Sequence, residues 1–200
     1  MDPVANEVLS FWFRGIQDLN SIEESRVYVW FKSDSEFDQE IKAKFADKIE
    51  KAANGEFNHW KETPKGTLAL VVLLDQFPRN VYRGEPESFK YDTAALEVCL
   101  EAIQKQIDQR LFPIERMFLY LPLEHSESLE MQNLMIEKCL EVKEATPTTI
   151  TNVAQMWLDY AYRHKAVIER FGRFPARNSV LSRETSQEEG LFLSERPLGF

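Results

Sequence analysis

The sequence predicts an all-α fold, and three observations predict it. Apolar residues recur at helical spacing in segment after segment. Helix start and stop signals punctuate those segments. Glycine and proline are few, seven and nine in 200 residues, which argues against a fold rich in tight β-turns. The expected architecture is seven or eight helices joined by short loops, without a sheet, in one domain over residues 1–200.

The first helix is capped by Asp2, and Pro3 takes the first helical position, where its missing N–H costs nothing. Val4, Val8, Leu9, Phe11 and Trp12 form its apolar stripe, and Tyr28, Trp30 and Phe31 add an aromatic cluster. Residues 35–53 are the cleanest amphipathic segment: Phe37, Ile41, Phe45 and Ile49 repeat every fourth residue between Lys and Glu. Asn54-Gly55 supplies a left-handed stop.

Thr63-Pro64 opens the next helix, and Leu68–Leu74 is apolar nearly all round, as suits a central core helix. A buried strand would fit the same run, but no other segment offers it a partner. Pro78 should stop this helix, because its ring clashes with the preceding turn and it has no donor. Further helices are expected over 86–107, from Pro113 to near Tyr120 because Pro122 disfavours helical angles at Leu121, over 127–142, and over 150–171 after a break and cap at Thr146-Pro147-Thr148-Thr149. Ser186 and Glu189 form a capping box for a short last helix.

Composition limits the function. A formal net charge of −9 disfavours nucleic acid and anionic membrane as partners. The longest apolar run is far below the ~20 residues that span a bilayer. No signal peptide is visible at the start. The two cysteines, Cys99 and Cys139, sit in helical apolar patterns and read as buried thiols, which fits a reducing, cytoplasmic setting.

The chemistry concentrates in two related phrases. Asp75-Gln76-Phe77-Pro78-Arg79-Asn80-Val81-Tyr82-Arg83 and Arg173-Phe174-Pro175-Ala176-Arg177-Asn178-Ser179-Val180-Leu181-Ser182-Arg183 both give Phe-Pro, then Arg-Asn, then Arg. Arginine presents a planar fork of donors suited to carboxylate and phosphate. If the two corners meet, Arg79, Arg83, Arg173 and Arg177 can hold an anion, with Asp75, Glu127 and Asn178 orienting them. Asn80 is expected to cap the turn after Pro78, and Arg183 closes the second phrase. The same arginines could instead bond helix-end carbonyls and buried acids, building the corners and nothing more.

A third element, Leu121-Pro122-Leu123-Glu124-His125-Ser126-Glu127, puts carboxylates, an imidazole and a hydroxyl at a helix junction. His125, with Glu124 raising its basicity, has the parts for acid–base chemistry, and His164 is a second candidate. His164 on an apolar face reads equally as a core residue. Tyr120 can bring its hydroxyl toward Glu124. Ser126 reads as a helix N-cap, since nothing around it resembles a nucleophile elbow. Glu124, His125 and Glu127 are too close in sequence to aim readily at one ion, so no metal and no cofactor is assigned. His59, beside Trp60, reads as a surface residue.

Together the three phrases resemble the DUF924 family, a mainly bacterial family without an assigned reaction, over about Val8 to Leu193. The matching positions are Asp75, Gln76, Arg79, Asn80 and Arg83 in the first phrase, Glu124, His125 and Glu127 in the second, and His164, Arg173, Arg177, Asn178 and Arg183 beyond. The resemblance implies an all-α tetratricopeptide-repeat-like fold and no particular reaction. The chain departs from the family at Ala176, where His is frequent, and at Ser182, where Gly is frequent. No 34-residue period marks an open solenoid. Three functions stay open: a binder of a small anion or an acidic peptide end, a hydrolase or isomerase acting on an anionic substrate with histidine and glutamate as acid and base, and a protein-interaction module, with a homodimer as a further partner state.

Overall fold

The computed structural model describes residues 1–16, 18, 30, 34–147, 151–196 and 199. The expected contributions of Tyr28, Phe31, Thr148 and Thr149 lie outside these residues. Every regular element among the described residues is helical, and no described helix is long and apolar enough to cross a membrane.

Helix α1 (Pro3–Trp12) begins as its sequence dictates, with the Asp2 carboxylate accepting from the Val4 and Ala5 N–H groups. Helix α2 (Ser35–Ala53) buries Phe37, Ile41, Phe45 and Ile49 and stops at Asn54, with Gly55 at φ +81°. Helix α3 starts on the Thr63 cap and runs through Pro64–Val71.

Pro78 does not break α3. A π-helical stretch, Val72–Gln76, widens the register, and a further α-turn, Phe77–Val81, carries Pro78 near its start. The wider turn loosens the packing at the carbonyl an α-register would press against the proline ring, so the chain stays helical through Pro78. The expected helix over 86–107 is also corrected. It is a 3₁₀ turn, Pro86–Phe89, followed by α4 (Asp92–Gln104).

Helix α5 runs from Pro113 to His125, well past the end expected at Tyr120. Leu121, Pro122 and Leu123 are all buried, so tertiary packing overrides the local preference of the residue before proline. Gln132 finishes this helix from outside: its side-chain amide donates to the carbonyls of Leu123, Glu124 and Ser126 at 3.3, 2.7 and 2.8 Å. Ser126 is therefore at the C-terminal end of α5 and does not cap a following helix. Helices α6 (Leu129–Ala145) and α7 (Thr151–Phe171) follow, and α8 (Gln187–Glu195) opens on the Ser186–Glu189 capping box.

Successive helices pack against each other, α4 on α5, α5 on α6 and α6 on α7, while α1 and α2 cover opposite parts of α3. The connection between α5 and α6 is three residues, which makes neighbours of consecutive helices. Helix α3 is the centre: Leu68 through Gln76 are all buried. Aromatic rings close over it, with Trp12 at 5.7 Å from Phe77 and 5.6 Å from Phe118, and Phe45 at 4.7 Å from Phe77. Trp30 joins this core and donates its indole N–H to the Trp12 carbonyl. A smaller cluster of Val167, Ile168, Phe174 and Phe192 docks α8.

Candidate functional site

The π stretch of α3 aims a carboxylate inward. Asp75 is fully buried, and its Oδ1 lies 2.8 Å from Nδ1 of His125, the last residue of α5. Gln76 donates to Oδ2 of the same carboxylate. Burial pushes the Asp75 carboxyl up, but Arg79 and then His125 outweigh it and hold the group well below the usual carboxylate range. Asp75 is thus ionised at neutral pH.

The two Arg-Asn corners do meet, in part. Arg79 donates two hydrogen bonds to Asp92, at 2.9 and 3.0 Å, and one to the Asp75 carbonyl at 2.7 Å. Arg177 arrives from the second corner. Its Nη2 donates to the His125 carbonyl at 2.8 Å, and its Nη1 stands 3.7 Å from Asp92 Oδ2. Its guanidinium lies over the rings of Phe89 and Phe174, at 4.8 and 4.6 Å. Burial, then the neighbouring Arg79, lowers the Arg177 pKa to about 10, so the fold leaves this cation under-compensated.

The other arginines are engaged elsewhere. Arg83 grips Asp38 of α2 at 2.7 and 2.9 Å. Because α3 ends at Val81, Arg83 no longer shares a helical face with Arg79 and turns outward. Asn80 donates to the same Asp38, at 2.8 Å, and so links helices where a cap was expected. Arg173 clasps Glu189 of α8 and the Glu184 carbonyl. Arg183 donates to both oxygens of Glu127 and to the Phe174 carbonyl, while the Phe174 N–H donates to Glu127. Glu127 therefore orients Arg183, and its carboxyl is held low by Arg183 against the upward push of burial. Asn178 is fully buried and reaches Thr185 instead of an arginine. Ser182 adopts φ +53°, a left-handed conformation that favours the glycine frequent in the family.

The acid–base pairing also differs from the expectation. His125 pairs with Asp75, and Glu124 lies beside His164, whose Nδ1 is 3.7 Å from Glu124 Oε1 and 2.9 Å from the Tyr160 carbonyl. The reason is geometric: adjacent helical residues point about 100° apart, so Glu124 and His125 face different neighbours. Tyr120 donates to Asp108 and accepts from Arg116, away from Glu124. His59 is exposed, 3.4 Å from Asp2. No group of three His, Cys, Asp or Glu among the described residues is arranged to hold a metal ion.

Asp92 and Asp38 lie outside the motifs, and Phe89, expected only as a core residue of the 86–107 helix, packs under Arg177. Asp92 opens α4, where an acidic residue ordinarily serves the helix dipole. The surplus of arginines over acids within the two phrases was the signal that carboxylates must come from elsewhere. A groove of about 380 Å³ along α7, lined by Asn152, Asp159, Tyr160 and Arg163 among others, contains none of the corner residues.

Fold and site together define a compact all-α protein with a polar junction where the ends of α3 and α5 meet the segment after α7. The chain belongs to the DUF924 family: the family model, described as a bacterial protein of unknown function, matches residues 8–196. It is similar to the solved structure of a protein of unknown function from Agrobacterium tumefaciens, with 33% identity, 96% of this chain and 97% of that chain covered, and a TM-score of 0.80. Comparison with curated proteins gives no match.

Proposed function

We propose that the junction binds a small anion through a carboxylate or phosphate group, with Arg177 as its principal receptor and Arg79 as the second cation. The observation that carries this reading is the incomplete pairing of Arg177. Its one firm hydrogen bond among the described residues goes to a neutral carbonyl, and the nearest carboxylate is already gripped by Arg79. A guanidinium held this way keeps donors for a planar or tetrahedral oxyanion. Arg83, Arg173 and Arg183 are each paired with an acid other than the one Arg79 and Arg177 share, and they serve the fold.

Inorganic phosphate is the simplest probe. A ligand at ~100 times its Kd stabilises a protein by about 2.7 kcal/mol. Phosphate should raise the melting temperature of the wild-type chain above that in sodium chloride of equal ionic strength. Arg177→Ala, verified as helical by circular dichroism, should lose the difference. An equal rise in Arg177→Ala, or none in the wild type, would overturn the reading.

A further inference from the structure

We propose that His125 is the proton-transfer group of this junction, acting through Nε2 on an anionic substrate seated against Arg177. The substrate's position rests on the anion-binding reading. The reactivity of the imidazole rests on separate geometry.

Asp75 is fully buried and His125 Nδ1 lies 2.8 Å from it. A carboxylate that is ionised can only accept, so Nδ1 must carry the proton. The neutral ring then has its lone pair on Nε2. Among the described residues no hydrogen bond reaches Nε2, and it is absent from the buried polar atoms that lack partners. The imidazole is 16% exposed. Its ring is fixed at one nitrogen, open at the other, and backed by a buried anion, as general-base chemistry requires. Arg177 bonds the backbone carbonyl of this same residue, so an anion held by Arg177 is bound at the residue that carries the imidazole.

The step is balanced within the site. Nε2 takes a proton from an O–H or C–H group of the substrate, or from a water beside it. The electron pair of that bond stays on the oxygen or carbon. The imidazolium that forms is stabilised by Asp75 through the Nδ1–H bond. Return of the proton from Nε2 to the product restores the neutral ring. No oxidant, reductant or metal takes part.

Diethyl pyrocarbonate, which acylates a neutral imidazole at its lone pair, tests this without a known substrate. His59 is the internal reference, since its side chain is 61% exposed and it lies in the same molecule. Peptide mass spectrometry of the wild-type chain should find His125 modified at least as fast as His59, although His125 is far less accessible. Asp75→Asn should slow His125 about tenfold and leave His59 unchanged. Because Asp75 is buried and its substitution perturbs the core, long-range ¹H–¹⁵N spectra of the wild type supply a second reading: the neutral His125 ring should carry its proton on Nδ1. Modification of His59 with His125 inert, or a proton on Nε2, would overturn the proposal. Phosphate separates the two readings. Protection of His125 by phosphate supports both, whereas fast modification of His125 that phosphate does not slow retains the proton-transfer role and rejects the anion site.

Discussion

Arg177 stands 3.7 Å from an Asp92 carboxylate that Arg79 already grips with two hydrogen bonds, so one acid serves two cations from distant segments of the chain. The arrangement explains why Arg177 is the easier of the two to deprotonate, since Arg79 has both Asp75 and Asp92 to raise its pKa against burial.

Removing the shared acid should therefore uncover the anion site. Asp92→Asn leaves two partly buried guanidiniums short of a counter-charge. We expect a loss of about 2 kcal/mol in unfolding free energy, less than for a fully buried pair because the acid is partly exposed. Phosphate should stabilise this variant more than it stabilises the wild type. Urea titrations with and without phosphate measure both effects, and an equal phosphate response in the two proteins would contradict the placement of the anion.

The structural arginines should behave differently. Arg183→Ala strips Glu127 and the Phe174 carbonyl of a donor and should cost about 1–2 kcal/mol. Arg83→Ala removes an arginine that is largely open to solvent and should cost less than about 1 kcal/mol, and Arg173→Ala leaves the buried Glu189 without its cation and should also destabilise the fold. All three variants should keep the wild-type melting shift in phosphate. Loss of that shift in any of them would mean that the receptor extends beyond Arg79 and Arg177.

Much of this was legible in the residues themselves. The caps at Asp2, Thr63 and Ser186 and the four-residue repeat of α2 depend on local chemistry, and they appear where expected. Pro78 and Pro122 carry the local signature of a helix end, but their local cost is offset by long-range burial, and by a π turn in the first case. The members of the site, Asp75, Arg79, His125 and Arg177, were visible as motif residues. Their pairing was not. Asp92 lies outside every motif, and the choice of Asp75 over Glu124 as the partner of His125 is set by how α3 crosses α5.

Acid should weaken the fold through Asp75. Its folded pKa is depressed, so its contribution is complete above the unfolded value, about 4, and is lost as pH falls toward about 2. Glu189 behaves alike, held down to about 2 by Arg173 and the Ser186 N–H. Unfolding free energy measured by urea should fall across this window. Glu189→Gln should flatten part of the slope, and an unchanged slope would show that its pairing with Arg173 is weak in solution.

The cysteines should be inert. Burial raises both thiols, and at Cys99 the nearby Asp75 and Asp108 add to it. Iodoacetamide should label neither in the folded protein at neutral pH and both in urea. Rapid labelling of the native chain would place a thiol at an accessible surface.

The most direct test is a crystal structure of the wild-type chain grown in phosphate, set beside one grown in chloride. A tetrahedral anion should lie within hydrogen-bonding distance of the Arg177 guanidinium, with His125 still bonded to Asp75. A guanidinium drawn fully onto Asp92, with no anion beside it in the phosphate crystal, would contradict a receptor at this junction.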